Sequence, residues 1–343
     1  MDSATVAVDG GVADGGADAP EVVATPPKIG LARGTDTPSD RALAQGDEAY
    51  LAERWDDAQA AFTQAAQLAP KDPAPIVGQV RVALAKADVP TDHAAAPDHP
   101  LLRKALTQLR RALQLDPNYG PAHLELGRAL LVMGKATEAV AALRSASRLS
   151  AADPESHSAL GVALLATGKG QEAVQELQRA VELDPNNVAR QTNLATALLL
   201  RGHAHEAIRV LERTVVLAPN DGRVRTDLGT AYLTVQDLQR AVPHLKKAVE
   251  LEPDRATFRS NLGYAMQMQQ NHAGAIEQYR KAIELDPKLG SAWINLGTAL
   301  AQTGERGEAR KAFQRAIELD PTDPRPRTNL QELDEIESDA GRP

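Results

Sequence analysis

The order of apolar and polar residues along most of this chain follows a helical period. In the stretch SAWINLGTALAQTG, from Ser291 to Gly304, apolar Trp293, Leu296 and Leu300 share one helical face. A leucine-containing close recurs along the chain. "LAP" ends at Pro70 and Pro219, "LDP" at Pro117, Pro185, Pro287 and Pro321, and "LEP" at Pro253. From Pro185 onward the interval is 34 residues each time, and Ala151 holds the same phase without a proline. The step from Pro70 to Pro117 is one such unit plus a 13-residue insertion.

Numbering each unit from 1 to 34 with the proline at 32 brings chemically alike residues into columns. Position 20 is alanine in all eight units, from Ala58 to Ala309. Position 30 is leucine in all eight, from Leu68 to Leu319. Position 27 is alanine except at Thr214. Position 8 is Gly46, Gly127, Gly161, Gly229, Gly263 and Gly297, with Val80 and Ala195 departing. Position 24 is Phe62, Tyr279 or Phe313 in three units and leucine in five. Positions 4, 7, 8 and 11 predict one apolar helical stripe, and positions 20, 24, 27 and 28 a second. A turn lies between them, often with glycine at 15 (Gly134, Gly168, Gly202, Gly304). The proline at 32 stops the second helix.

This period and these columns resemble the tetratricopeptide repeat family. The resemblance implies an all-α fold: a right-handed superhelical solenoid of eight helix hairpins plus a C-terminal capping helix. One hairpin cannot bury its own faces, whereas stacked neighbours can. The repeats run 39–72, 73–119 with the insertion, 120–153, 154–187, 188–221, 222–255, 256–289 and 290–323. Residues 324–337 begin a ninth first helix, made polar by Glu332, Asp334, Glu335 and Glu337 as a cap requires. Residues 338–343 form a short tail. Residues 1–38 are rich in Ala, Gly, Asp and Pro without periodicity, so a disordered acidic tail is expected.

Charge narrows the function. The net charge is −8, with −4 in residues 1–38 and −4 in residues 331–343, so the repeats sum to zero. A neutral body offers no footprint for nucleic acid. There is no cysteine, which removes disulfides, thiolate metal sites and cysteine nucleophiles. No apolar run reaches ~18 residues, so membrane insertion is not expected. The N-terminus, MDSATVAVDGG, lacks a basic region and an apolar core. The expectation is therefore a cytoplasmic protein. A periplasmic or envelope-associated one is the alternative, should an N-terminal anchor have been removed.

The candidate chemistry lies at position 6. Asn193, Asn261, Asn295 and Asn329 all stand there, with Asp227 in the repeat between. Asparagine is a poor helix former because its short amide competes for the backbone. At 100° per residue, positions 2, 5, 6, 9 and 13 oppose the apolar stripe, on the face that lines the concave surface in the family. Thr196, Thr230, Tyr264 and Thr298 at position 9, and Arg223 at position 2, share that face. A carboxamide can donate to a peptide carbonyl and accept from a peptide N–H, so such a row suits an extended backbone of variable sequence. The row resembles the asparagine ladder inside the repeats of O-linked N-acetylglucosamine transferase, and only its binding mode is implied. The bland alternative is a merely solvated asparagine column. The first four repeats carry Ala44, Gly78, Glu125 and Ala159 at position 6, so the expected binding site belongs to the C-terminal half.

Other motifs dissolve into the repeat. GKGQEA, from Gly168 to Ala173, matches a dinucleotide fingerprint but follows a helix instead of a strand. The insertion holds His93, His99, Asp92 and Asp98, for which a solvated loop is the expectation and a metal site is not. With no acid, base and nucleophile in one constellation, neither an enzyme nor a cofactor is expected. The sequence predicts a protein-interaction scaffold that holds an extended peptide segment of a partner in its groove. The alternative is an assembly subunit that works through its convex face or the insertion.

Overall fold

A computed structural model describes residues 30–90 and 93–340 of the 343-residue chain. The described part is built from helices joined by short turns, and it divides into two compact units. The unit containing residues 30–203 holds α1 (Pro38–Leu51), α2 (Trp55–Leu68), α3 (Ala74–Lys86), α4 (Pro100–Leu115), α5 (Gly120–Val132), α6 (Ala136–Leu149), α7 (Pro154–Ala166), α8 (Gly170–Leu183) and α9 (Val188–Leu200). The unit containing residues 204–340 holds α10 (Ala204–Leu217), α11 (Gly222–Thr234), α12 (Leu238–Leu251), α13 (Ala256–Met268), α14 (His272–Leu285), α15 (Gly290–Gln302), α16 (Arg306–Leu319) and α17 (Arg325–Ala340). The division falls inside the fifth repeat, between α9 and α10. Each unit is a stack of helix hairpins in the predicted order.

The columns read from the sequence explain the hairpin contact. The position-24 side chains, from Phe62 to Phe313, are buried in every repeat, as are the alanines at position 20. The glycine at position 8 lets the first helix approach the position-24 side chain. A Cβ on Gly127 would lie 2.3 Å from Leu143 Cγ, and one on Gly297 would lie 2.6 Å from Phe313 Cε1. Thr214, the exception at position 27, is buried and gives its hydroxyl to the Val210 carbonyl at 2.8 Å, so its polar atom is satisfied. The first helices α7, α9 and α11 are capped by a side chain at position 34, whereas Tyr119, Arg255 and Leu289 stand there without a side-chain cap. Asp153 accepts from the Glu155 and Ser156 amides, Asn187 from that of Arg190, and Asp221 from that of Val224.

In the first two repeats position 4 is apolar and packs on the core, at Ala42 and Ile76, and from the third repeat onward its role changes. It carries a nitrogen donor in seven successive places, and each bonds the carbonyl of position 32 just before it. His123 bonds Pro117 at 2.9 Å, His157 bonds Ala151 at 3.2 Å, and Gln191 bonds Pro185. Arg225 bonds Pro219 at 2.7 Å, Arg259 bonds Pro253 at 2.9 Å, Trp293 bonds Pro287 at 3.0 Å, and Arg327 bonds Pro321 at 2.6 Å. Each of these carbonyls lies in the turn, one residue past the C-cap of the second helix, and needs a partner from outside that helix. Here the next helix supplies one.

Within each unit, every first helix of a hairpin touches the first helix of the next hairpin, and no two successive second helices do, among the described residues. The first helices therefore line the inner side of each unit. Each inner helix also packs on the second helix before it, so its buried stripe is wider than a single partner would require. Position 5 is buried for this reason, at Thr192, Thr226 and Ser260, and drops out of the expected concave face.

Two other segments differ from expectation. The insertion after α3 docks on the end of α5, where the Ala94 and Ala96 amides bond the Leu131 and Val132 carbonyls at 3.0 and 3.2 Å. Residues 30–37, assigned by sequence to the disordered tail, lie against α1. Leu31 is only 2 % exposed, and its amide bonds the Asp47 carboxylate. This segment shows no periodicity because side-chain carboxylates hold it instead of a helical face. The rest of the expected tail, residues 1–29, lies outside the described residues, as do 341–343. The expected capping helix runs as α17 to Ala340 and buries Leu333 against α15 and α16.

Candidate functional site

Position 6 meets position 9 of the preceding repeat on the inner side. In the second unit, Asn329 Nδ2 donates to Thr298 Oγ1 at 3.3 Å, and Thr298 donates in turn to the Ile294 carbonyl at 3.0 Å. In the first unit the same step is ionic: Arg81 Nε, at position 9, donates to Glu125 Oε1, at position 6, over 2.7 Å. The two columns thus form one stripe that crosses from helix to helix.

In the second unit this stripe is amide- and hydroxyl-rich. Asp227 on α11, Asn261 on α13, Asn295 on α15 and Asn329 on α17 are all half-buried. Thr230, Tyr264 and Thr298 stand one turn further along their helices, equally half-buried. Arg223 precedes Asp227 by one turn of α11 and is also half-buried. A second lateral bond, not anticipated from the sequence, joins α13 to α15: Gln267 Nε2 donates to Gln302 Oε1 at 2.8 Å. Gln267 also accepts from the buried Tyr279 hydroxyl at 2.8 Å. Burial pushes that phenol well above its ordinary pKa, so it stays a donor. In the sequence the pair is visible only as Gln267 at position 12 of one repeat and Gln302 at position 13 of the next.

Asn193 behaves differently. It lies on α9 in the first unit and is 5 % exposed, so its amide is not presented to solvent. Thr196, one turn later, is half-buried and returns its hydroxyl to the Thr192 carbonyl at 3.0 Å. The expected row of five is therefore a row of four within the second unit.

The first unit closes the same face with charge. Beyond Arg81 and Glu125, Arg128 Nη1 lies 3.3 Å from Glu155 Oε1. Arg190 Nη2 lies 3.1 Å from Glu155 Oε2, and Arg190 also pairs with Asp184. Burial alone would raise the Glu125 carboxyl, but Arg81 and Arg128 hold it below its ordinary value. A buried pair of this kind adds little net stability, yet removing one partner strands the other charge. Sequence reasoning missed this chain because its members occupy positions 9, 6, 2 and 3 in different repeats. Among the described residues, no three His, Cys, Asp or Glu side chains gather as metal ligands, and no helix is long and apolar enough to cross a membrane.

Tetratricopeptide repeat models match residues 102–154, 124–188, 226–290 and 269–324, and a second such model matches 164–228. No curated protein sequence matches the chain. Among solved structures, the Cut9–Hcn1 hetero-tetramer of the APC/C aligns at TM-score 0.60 and 16 % identity, over 88 % of this chain and 57 % of that one. This chain thus spans little more than half of that neighbour, and the likeness shows the fold alone. MamA from Desulfovibrio magneticus RS-1 is 28 % identical over 49 % of this chain and 95 % of its own, at TM-score 0.46. YrrB, described as a tetratricopeptide protein with an unusual peptide-binding site, is 20 % identical over 56 % of this chain and 99 % of its own, at TM-score 0.43. With its repeat models covering more than half of the sequence, and its hairpins stacked as those models require, the chain belongs to the tetratricopeptide repeat family.

Proposed function

We propose that this protein is an interaction scaffold whose second unit holds an extended segment of a partner protein against the row Asp227, Asn261, Asn295 and Asn329. The observation that carries the reading is the continuous half-buried stripe of amides and hydroxyls on the inner helices, laterally joined at Asn329–Thr298. Packed helices lie about 8–10 Å apart, and an extended chain rises about 3.3 Å per residue. One amide then meets about every third peptide residue. Each amide serves one carbonyl and one N–H, so recognition falls on the main chain and tolerates variable side chains.

The test is a double substitution, Asn261→Ala with Asn295→Ala. Both side chains lie off the hairpin contact, and alanine is the better helix former. Helicity should hold. Peptides selected on the wild-type protein from an unbiased extended library are then titrated against both forms. Each lost amide removes up to two hydrogen bonds at about 0.5–1.5 kcal/mol apiece. A combined loss of about 2 kcal/mol is roughly thirtyfold in affinity. Equal affinities at matched helicity would rule out the row as the binding element. The second reading, an assembly subunit working through its outer surface, would then stand. It is favoured by the leucines at position 30, of which Leu68 is 49 %, Leu217 43 % and Leu285 42 % exposed.

A further inference from the structure

Residues 30–36, GLARGTD, are held in a way that differs from everything else in the fold. Their amides go to two carboxylates on one helix. Leu31 and Ala32 donate to Asp47 Oδ2, at 2.5 and 2.9 Å. Arg33 and Thr35 donate to Asp40 Oδ1 and Oδ2, at 2.6 and 2.7 Å. Two side chains add the rest. Leu31 is buried in the core of the first three hairpins. The Arg33 guanidinium makes a two-pronged pair with Asp72, at 2.7 and 2.8 Å, and lies 5.7 Å from the centre of the Tyr119 ring. The outer side of the segment stays in solvent, from Arg33 to Asp36.

This is the division of labour of a peptide-recognition site. Main-chain bonds supply sequence-independent affinity, and pockets for particular side chains supply specificity. The receiving groups do not depend on the segment for their placement. Asp47 and Asp40 are fixed on α1, and Asp72 also caps α3 through the Ala74 amide at 3.0 Å. Asp47 stands at position 9 of the first repeat, so the segment lies along the inner side of its unit. Burial keeps the Asp47 carboxyl above its ordinary pKa even though two amides bond it. Gly30 is part of the fit, since a Cβ there would come within 2.7 Å of Asp47 Oδ2.

We propose that residues 30–36 are a built-in competitor occupying a peptide-docking site on the first repeats. The site takes in their place a partner segment of the same bent course, with glycine, a large apolar residue and, two positions after that, arginine. This site is separate from the amide row of the second unit, so the two proposals stand or fall independently. A segment tethered directly to its site acts at an effective concentration of the order of millimolar. Against a free peptide of Kd in the tens of micromolar, such a competitor weakens apparent binding by roughly ten- to a hundredfold.

The experiment uses the full chain and a fluorescein-labelled peptide of sequence GLARGTDTPS, read by anisotropy. Wild type should bind it weakly. The doubly substituted chain Leu31→Asp with Arg33→Ala should release its own segment and bind the peptide at least tenfold more tightly. A peptide with alanine for arginine should lose that gain. So should the opened chain carrying Asp72→Asn, which keeps the α3 cap. In wild type, added peptide should speed hydrogen exchange at the Leu31, Ala32, Arg33 and Thr35 amides. An opened chain of native helicity that binds no better than wild type would overturn the proposal, as would indifference to Asp72→Asn. Loss of helicity on opening would also overturn it, by making the segment a structural cap. A wild-type dimer that dissociates on opening would overturn the intramolecular placement.

Discussion

Gly297→Ala and Gly307→Ala make the same chemical change ten residues apart in the second unit, and the structure gives them opposite signs. Both glycines are helical, on α15 and α16. Alanine in a helix interior gains about 0.8–1.0 kcal/mol over glycine from backbone entropy alone. Gly307 has nothing within 4 Å of an added Cβ, so the gain should appear, reduced by its place in the first turn. About 0.5 kcal/mol of stabilisation is expected. At Gly297 the new carbon would stand 2.6, 2.7 and 3.0 Å from Phe313 Cε1, Cδ1 and Cζ. Carbon atoms rest about 3.5–4.0 Å apart. The ring must therefore retreat by about 1 Å, yet it is buried between helices with Ala309 and Ala316 on its own helix at 0–2 % exposure. Overpacking of this kind costs about 1–3 kcal/mol. Less the propensity gain, Gly297→Ala should destabilise by about 1–2 kcal/mol. Urea denaturation followed by far-ultraviolet circular dichroism would read the two changes as midpoints moving in opposite directions at constant slope. A Gly297→Ala midpoint equal to or above wild type would refute the claim that position 8 is glycine because position 24 needs the space.

The same reasoning extends to two other sites. His157 gives Nδ1 to Glu176 Oε2 at 2.6 Å and Nε2 to the Ala151 carbonyl, so Glu176 chiefly raises its pKa above the ordinary 6.5. The bonus of the imidazolium is complete below the unfolded value near 6.5 and fades as pH rises through the folded value; ~0.5 kcal/mol should vanish by pH 8, and a His157 NMR titration midpoint at or below 6.5 would contradict the bridge. Gln270 holds φ +62° in a turn where Gly134, Gly168, Gly202 and Gly304 hold +73° to +85°, so Gln270→Gly should raise stability by about 0.5–1 kcal/mol, and a lowered melting temperature would show that the turn is not strained.

The hairpin contact was legible in the sequence because both partners sit at fixed spacing in one repeat. Gly297 and Phe313 are 16 residues apart, and so are Gly127 and Leu143, which makes the pairing a column pattern. Contacts between repeats were not. Thr226 at position 5 reads as an exposed hydroxyl until the preceding second helix covers it. Arg190 reads as a surface charge, yet its partners are Glu155, in an earlier repeat, and Asp184. The amide row was legible at Asn261, Asn295 and Asn329, because a weak helix former recurring at one phase stands out. It misled at Asn193, whose burial no spacing records. The segment at 30–36 was invisible because Asp40, Asp47 and Asp72 are acids like any others until the chain doubles back on them.

The bond from position 4 to the preceding carbonyl is made by imidazole, carboxamide, guanidinium and indole in turn. All four place an N–H at the same reach while differing in charge, size and aromaticity. The angle between consecutive hairpins is thus written in donor geometry and left unwritten in residue identity. From repeat to repeat the joint changes in composition while the bond it makes stays the same. The place most diverse in chemistry is then among the least free in shape, and the surface beside it can acquire new charge without bending the array.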